Sequence, residues 1–289
     1  METPDSLGHS TTIRDLNNEA ADAAPSGVRI LLTGETGAGK QTLARLIHER
    51  TRGATAPLIV LDCCEISDST FEAEWLDPMM DVASPDCGTH EGWLRTAQGG
   101  TIHIRTLEKM TWRKQAALFR YLDARHRAGA GAAGHPASSV DVRLITSGDS
   151  SLFEAVAAGT FRQDLFYRLN TVHLCVPPLR ERLEDVPVLF DHFVREFCDA
   201  RQCAVPAIAP ETLQALTAYS WPGNVRELKQ VATRLATKGG ELRAEEPAVS
   251  RQVQFESVTA KRPVQALQPD VPMIGTPQPR VVAWPRSPS

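Results

Sequence analysis

GETGAGKQ, residues 34–41, stands directly after the apolar run Val28–Leu32 and before the helix-forming run Leu43–Ile47. This sequence predicts a buried strand that turns through glycines into a helix. In that geometry, backbone N–H groups and the positive end of the helix face one anion. Lys40 is then placed to reach the β and γ phosphates of a nucleotide. The stretch therefore predicts a phosphate-binding loop; the alternative is a plain strand-to-helix turn.

The predicted loop departs from the usual pattern at one position. Gln41 follows the lysine, where a Ser or Thr usually helps to hold Mg²⁺, and Thr42 stands one place later. We refer to residues 34–42 as the phosphate loop and predict that all of them bind nucleotide: Gly34, Glu35, Thr36, Gly37, Ala38, Gly39, Lys40, Gln41 and Thr42.

Length and composition favour a protein with reduced thiols and no membrane span. The 289 residues carry a formal net charge of −4, so nucleic-acid contact would have to be local or indirect. No stretch reaches the roughly 20 apolar residues of a membrane span, and the polar N-terminus is not a signal peptide. We expect a cytoplasmic protein. Six cysteines without a C-x-x-C pair argue against a disulfide or metal site: Cys63, Cys64, Cys87, Cys175, Cys198 and Cys203.

Apolar, β-rich runs alternate with helical patterns from about residue 28 to 176. The predicted strands are Val28–Leu32, Leu58–Leu61, Thr101–Ile104, Val142–Ile145 and Val172–Val176. The predicted helices between them are Thr42–Arg50, Thr111–His126 and Leu152–Ala157. This alternation predicts an α/β fold, a parallel sheet with helices on both faces. Residues 184–238 have helical spacing throughout, and the tail after 241, with eight of the 20 prolines, is predicted to be disordered.

Four further motifs accompany the phosphate loop: EGWLRTAQGGT at 91–101, FRQDLFYRLN at 161–170, PPLRERLEDVP at 177–187 and WPGNVREL at 221–228. Together they closely resemble the AAA+ ATPase domain of bacterial enhancer-binding proteins, the sigma-54-dependent transcription activators. Gln41 supports this, because the family typically carries an acidic or amide residue there. The resemblance implies an AAA+ P-loop NTPase subdomain at 7–178, a smaller all-helical lid at 179–240 and a proline-rich disordered tail at 241–289.

The resemblance also implies roles for individual residues. Lys40 would hold the phosphates of ATP or ADP, and Arg226 matches the sensor that feels the γ-phosphate in the same subunit. Arg162 and Arg168 match the arginines that reach the ATP of a neighbouring subunit in trans. The sequence itself suggests little structural role for these three arginines, so their presence favours function over decay.

The catalytic carboxylates of the family are missing after the third predicted strand. Arg105 and Thr106 replace the Asp that holds Mg²⁺ and the Glu that activates water. A threonine is no base at neutral pH, and a cation at 105 would repel the metal by about 4 kcal/mol per unit pair at 4 Å and a dielectric near 20. If the strand continues, Glu108 lies roughly 6–7 Å further along, too far to substitute without a rearranged loop. We expect Mg²⁺ binding to be disfavoured.

Other positions depart from the family as well. Asp62 replaces an asparagine that couples the catalytic glutamate to the ligand state, and Gly148-Asp149 replaces the Thr-Asn of the first sensor. The loop that contacts sigma-54, GAFTGA in the family, should fall at 81–86, which reads DVASPD. No helix-turn-helix pattern for DNA binding is found in the tail.

We interpret the sequence as an ATP-binding sigma-54 interaction (AAA+) domain protein involved in regulation of transcription. It is expected to hydrolyse little or no ATP and to modulate an intact enhancer-binding paralogue, in a ring with that paralogue or with itself. Sigma-54 RNA polymerase is a partner by resemblance only; direct DNA binding and membrane contact are not expected. Two alternatives stay open: an active, divergent ATPase activator, and a decayed relic without selected function.

Overall fold

The computed structural model describes residues 8–23, 27–76, 92–129 and 141–237. The segment 81–86, Cys87 and the tail from 241 lie outside these ranges, so the predictions made for them stay predictions.

A parallel sheet forms the centre of the α/β part. Its strands are β1 (Ile30–Thr33), β2 (Leu58–Asp62), β3 (Thr101–Arg105), β4 (Arg143–Ser147) and β5 (Val172–Cys175). Their order is β2-β3-β4-β1-β5, with every neighbouring pair parallel. The predicted α/β fold with a parallel sheet is confirmed. The strand bounds differ from the predicted ones by up to two residues, because the apolar run and the hydrogen-bonded ladder do not begin and end together.

Helices cover both faces of the sheet. They are α1 (Thr11–Ala23), α2 (Lys40–Arg52), α3 (Asp68–Leu76), α4 (Trp93–Thr96), α5 (Trp112–Gly129), α6 (Ser151–Ala157) and α7 (Gln163–Leu169). Strand alternation assigns the faces: Ile30 and Leu32 pack with α1 and α2, whereas Leu31 packs with α3 and α5. The sequence analysis did not predict α1, although its buried Ile13 and Leu16 have helical spacing. None of the described helices is long and apolar enough to cross a membrane.

The segment after β5 is helical and has a core of its own. Two short 3₁₀ turns, Leu179–Glu181 and Leu183–Asp185, lead into α8 (Val186–Arg201), α9 (Pro210–Ala218) and α10 (Asn224–Ala236). The buried residues of α8 and α10 pack together around Trp221, which is 2 % exposed. Each fully buried aliphatic side chain there contributes roughly 1.5–3 kcal/mol. The predicted smaller, all-helical unit is confirmed, and it places the start of α10 beside the phosphate loop.

Candidate functional site

The phosphate loop joins the end of β1 to the first turn of α2. Gly34 has φ +142° and Gly37 has φ +81°, a region that L side chains rarely adopt. A Cβ at residue 34 would overlap the carbonyl of Val176, and one at residue 37 would overlap the carbonyl of Gly223. The backbone therefore requires glycine at both positions. This geometry places the loop against the N-terminus of α2, the anion-binding arrangement that the sequence predicts.

Lys40, the first residue of α2, folds back over the phosphate loop. Its Nζ donates to the carbonyl oxygens of Gly34 at 2.5 Å and Glu35 at 2.9 Å. Burial lowers the pKa of Lys40, while the attraction of Glu108 and Asp149 acts in the opposite direction. The Lys40 ammonium group therefore lies at the phosphate loop. The two carbonyl oxygens that accept its hydrogen bonds can be replaced by phosphate oxygens.

Residues from the helical part hold the phosphate loop in place. Arg180 donates to both carboxylate oxygens of Glu35 at 2.6 and 2.8 Å, and these hydrogen bonds lower the pKa of Glu35. Asn224 at the start of α10 donates to Glu35 Oε2 at 3.1 Å and to the Thr36 carbonyl at 3.2 Å. Arg182, which is 1 % exposed, donates to the Ala38 carbonyl at 2.6 Å. The sequence analysis quoted the motifs that carry these residues but assigned them no role.

The phosphate loop borders a cavity of about 880 Å³. Gln41 and Thr42 line it together with Gly148. Its basic lining residues, within the described ranges, are Lys40, Arg45, Arg105, Arg226 and Lys229, and its carboxylates are Glu108, Asp149 and Glu196. The excess of positive charge favours an anionic ligand.

Arg226 stands in the first turn of α10, next to the phosphate loop. Its backbone N–H donates to the Gly37 carbonyl at 3.3 Å, and its side chain is exposed at the cavity. The structure thus brings Arg226 and Lys40 to one cavity, and the phosphate-binding roles that the resemblance implies for them stay predictions.

Arg105 and Asp62 occupy paired positions at the ends of β3 and β2. The Arg105 guanidinium lies 3.5 Å from Asp62 Oδ2, and the Thr106 hydroxyl donates to Asp62 Oδ1 at 2.9 Å. Burial alone would raise the pKa of Asp62, but hydrogen bonds from the Cys64 amide and Thr106, with the Arg105 charge, lower it. This arrangement does not fit Mg²⁺, because the cation of Arg105 already balances the carboxylate.

One expectation for Glu108 depends on whether β3 continues. The strand does not continue: β3 ends at Arg105, Thr106 adopts φ +61°, and Leu107–Lys109 form a 3₁₀ turn. This turn is the rearranged loop that the expectation left open, and it brings Glu108 to the same cavity as Lys40. The left-handed residue at 106 gave no signal in the sequence, because threonine rarely adopts that conformation.

Asp149 and Gly148 lie beside Glu108. The Asp149 amide donates to Glu108 Oε2 at 3.2 Å, and Asp149 Oδ1 accepts hydrogen bonds from the amide and hydroxyl of Ser151 at the start of α6. Burial raises the pKa of Glu108, and the charge of Asp149 raises it further. Two carboxylates thus approach the phosphate loop from the far side of the cavity.

Arg162 and Arg168 have partners within the chain. Arg162 binds both oxygens of Asp164, at 2.7 and 3.0 Å, and Arg168 binds Asp123 at 2.6 Å. Both guanidinium groups stack over the ring of Phe119, at 4.6 and 4.7 Å from its centroid. The expectation that these arginines have little structural role is therefore wrong for both. Neither lines the cavity described above, and each side chain is partly exposed.

The parallel sheet, the glycine-dependent loop and the lysine at the start of α2 define a P-loop nucleotide-binding fold. Family models make the assignment specific. The sigma-54 interaction domain matches residues 6–175, and the AAA+ ATPase lid domain matches residues 180–262. The chain belongs to the sigma-54 interaction domain family of AAA+ proteins.

Several characterised proteins are similar to this chain. The regulatory protein AtoC of Escherichia coli K12 is 37 % identical over 228 residues, 79 % of this chain and 49 % of AtoC. The Nif-specific regulatory protein of Herbaspirillum seropedicae is 36 % identical over 231 residues, 80 % of this chain and 42 % of that protein. The chain thus spans about half the length of the curated relatives it matches.

Solved structures of NtrX from Brucella abortus share the fold. The complex with ADP is 31 % identical and superposes with a TM-score of 0.66, covering 83 % of this chain and 52 % of NtrX. The complex with ATP is 28 % identical with a TM-score of 0.68, covering 87 % and 60 %.

Proposed function

We propose that this chain binds ATP or ADP through the phosphate loop, hydrolyses little or none of it, and regulates transcription by modulating an intact sigma-54-type activator. One observation carries the proposal: the phosphate loop has its full geometry, while Asp62, Arg105 and Thr106 form a neutralised cluster where the family holds metal and water. The match to the sigma-54 interaction domain and the NtrX complexes with ADP and ATP support it.

In this proposal Lys40 exchanges its two carbonyl acceptors for phosphate oxygens, and Arg226 approaches from α10. Arg105 contacts a phosphate oxygen in place of the metal, because a guanidinium forms strong charge-assisted hydrogen bonds to phosphate. Thr106 cannot remove a proton from water at neutral pH, so the bound nucleotide persists. A bound nucleotide would place negative charge beside Arg226 of α10, which already contacts the phosphate loop through its backbone.

The modulator role depends on Arg162 and Arg168. Their ion pairs with Asp164 and Asp123 are partly exposed, and solvent-accessible pairs of this kind contribute only about 0–1 kcal/mol, to which stacking on Phe119 adds about 0.5–1 kcal/mol for each arginine. In a mixed ring these guanidinium groups can therefore leave their aspartates and contact the nucleotide of an intact neighbour. The chain would then assist one neighbour's hydrolysis while offering no hydrolysis of its own.

The test is a titration of this protein into a catalytically competent relative. The ATPase rate should change non-linearly with mole fraction, and Arg162→Ala or Arg168→Ala should alter the curve. Arg195→Ala is the control, since Arg195 forms the same kind of ion pair, with Asp191 at 2.6 Å on α8, although its side chain is more exposed than those of Arg162 and Arg168. A flat rate without co-assembly in light scattering would contradict the modulator role and favour the decayed relic.

One observation favours a second candidate, an active and divergent ATPase activator. Glu108 supplies a carboxylate to the cavity from an unexpected position, and its raised pKa suits a general base. Turnover at about 1 s⁻¹ or faster that is lost in both Lys40→Ala and Glu108→Gln would establish this candidate over the proposal.

A further inference from the structure

The Glu108 carboxylate packs against the backbone of Gly148 in the cavity that the phosphate loop borders. A Cβ at residue 148 would lie 3.0 Å from Glu108 Oε2 and 3.2 Å from Leu152 Cδ2. Gly148 does not have positive φ, so the backbone itself accepts other residues there. Because residue 148 has no side chain, the Glu108 carboxylate can lie close to its Cα. In that position the carboxylate accepts a hydrogen bond from the Asp149 N–H at 3.2 Å.

This carboxylate faces the part of the cavity where phosphates would lie. Glu108 and Asp149 are the two acids that act electrostatically on Lys40, the residue placed to hold β and γ phosphates. Arg105 and Arg226 act on the same lysine with the opposite sign. The third carboxylate of the lining, Glu196, is paired with Lys229 at 2.8 Å and is neutralised locally.

We propose that Glu108 is a specificity-determining residue that disfavours the γ-phosphate, so that the cavity selects nucleoside diphosphates over triphosphates. This inference rests on the proposed nucleotide binding. A γ-phosphate adds negative charge next to Lys40, where the carboxylates of Glu108 and Asp149 already supply negative charge. The γ-phosphate and the carboxylates of Glu108 and Asp149 would share one cavity, and like charges repel where no divalent cation screens them.

The hydrogen bonds favour this role over metal binding. Asp149 Oδ1 already accepts from the Ser151 amide at 2.9 Å and from the Ser151 hydroxyl. Glu108 Oε2 is held by the Asp149 amide. Among the described residues, no group of three or more His, Cys, Asp or Glu side chains could hold a metal ion. The two acids therefore present negative charge to an incoming phosphate.

The experiment is a calorimetric titration of ADP and ATP, each in EDTA, into the whole chain and into Glu108→Gln. The glutamine keeps the shape and removes the charge. It should raise the affinity for ATP by about tenfold and the affinity for ADP by much less. Glu154→Gln is the matched control: Glu154 is exposed on α6, outside the cavity lining, so the variant changes net charge equally and should leave the ratio of affinities unchanged.

A second variant displaces the carboxylate without changing any charge. The Cβ of Gly148→Ala would lie 3.0 Å from Glu108 Oε2 and would make that carboxylate shift slightly, so the ATP-to-ADP affinity ratio should change in the same direction as in Glu108→Gln and by less. Equal ratios in wild type, Glu108→Gln and Gly148→Ala, with nucleotide still bound, would overturn the inference and leave the proposed function intact. ATP hydrolysis abolished by Glu108→Gln would also overturn it. No binding of either nucleotide would refute the proposed function itself.

Discussion

Arg105 and Asp62 together change the charge at the carboxyl edge of the sheet. They lie opposite one another on β3 and β2, and the Thr106 hydroxyl completes the set by donating to Asp62. Where the family resemblance implies carboxylates around a divalent cation, this chain has one carboxylate beside one fixed guanidinium. The charge of Asp62 is thus balanced by Arg105 without a metal ion. The residues at positions 62, 105 and 106 therefore differ from the family in a mutually compatible way.

Arg105→Asp should reverse this balance. The variant places a second carboxylate next to Asp62, so ATP affinity in EDTA should fall by about tenfold or more through charge repulsion. Adding Mg²⁺ should restore it, because two carboxylates plus phosphates are a suitable Mg²⁺ ligand set. Isothermal titration with and without Mg²⁺ measures both effects.

Arg105→Gln is the control for that variant, since it removes the cation without adding a carboxylate. It should weaken binding and confer no Mg²⁺ dependence. If Arg105→Asp binds ATP as wild type does in EDTA, Arg105 does not contact phosphate.

The charge of Glu108 makes nucleotide selection depend on pH. Burial raises its pKa above the ordinary value, so the carboxylate loses its charge earlier than a free glutamate as pH falls. The groups that face it are Lys40 of α2, Asp149 before α6, Arg105 of β3 and Arg226 of α10. We expect the difference in ATP affinity between wild type and Glu108→Gln to be full at neutral pH and to vanish below the raised pKa.

The raised pKa of Glu108 also makes the stability of the fold depend on pH. Because the folded pKa is raised, ionised Glu108 destabilises the fold, and the penalty grows as pH rises through that pKa. Glu108→Gln should therefore melt at a higher temperature than wild type near pH 7, and the gain should disappear at acidic pH. A thermal melt series from pH 4 to 8 measures it; a gain that is constant with pH would contradict the assignment.

At the scale of elements, one buried aspartate links three parts of the chain. Asp185, at the end of a 3₁₀ turn, accepts hydrogen bonds from the His9 amide and from the amide and hydroxyl of Ser10, at 2.6–2.8 Å. It lies 3.9 Å from the buried Arg182, which in turn donates to the Ala38 carbonyl of the phosphate loop. The Asp185–Arg182 pair and its hydrogen bonds therefore connect the start of α1, the 3₁₀ turns and the phosphate loop.

Asp185→Asn should lower the free energy of unfolding by roughly 1.5–3 kcal/mol, because it replaces the charged acceptor of the buried hydrogen bonds from His9 and Ser10 by a neutral amide. Urea denaturation measures the loss. Glu184→Gln makes the same chemical change at the exposed neighbouring residue and should stay within about 0.5 kcal/mol of wild type. Equal stabilities for the two variants would show that the contact contributes little.

The elements that the sequence predicts are those with strong periodicity. Strands β1, β3 and β4 are buried almost throughout, whereas the edge strands β2 and β5 are partly exposed. All five still contain short apolar runs, and α2 follows its glycine loop, so these elements could be found from local pattern. The position of Glu108 could not, because it depends on the left-handed Thr106 that ends β3. The ion pair of Arg168 was missed because Asp123 lies 45 residues away in the chain. The pair of Arg162 with Asp164 is local and was visible in the sequence, but its stacking on Phe119 was not. The domain bounds at 178 and 240 stay predictions.

At the scale of the whole molecule, the chain combines a sheet and a helical unit that close on one phosphate loop. Arg180, Arg182 and Asn224 reach that loop from the helical side. A ligand that alters the conformation of the phosphate loop would therefore alter these contacts and the position of α10, and no hydrolysis is needed for that effect. The chain spans about half the length of its curated relatives.

The most direct test of the central claim is one nucleotide titration performed on the same protein in Mg²⁺ and in EDTA. We predict that ADP binds in both buffers with affinities that agree within about threefold, since Arg105 supplies the charge that a metal otherwise provides. Lys40→Ala should abolish the signal in both. Binding that strictly requires Mg²⁺ would contradict the account, because it would show that a metal, and not Arg105, balances the phosphates.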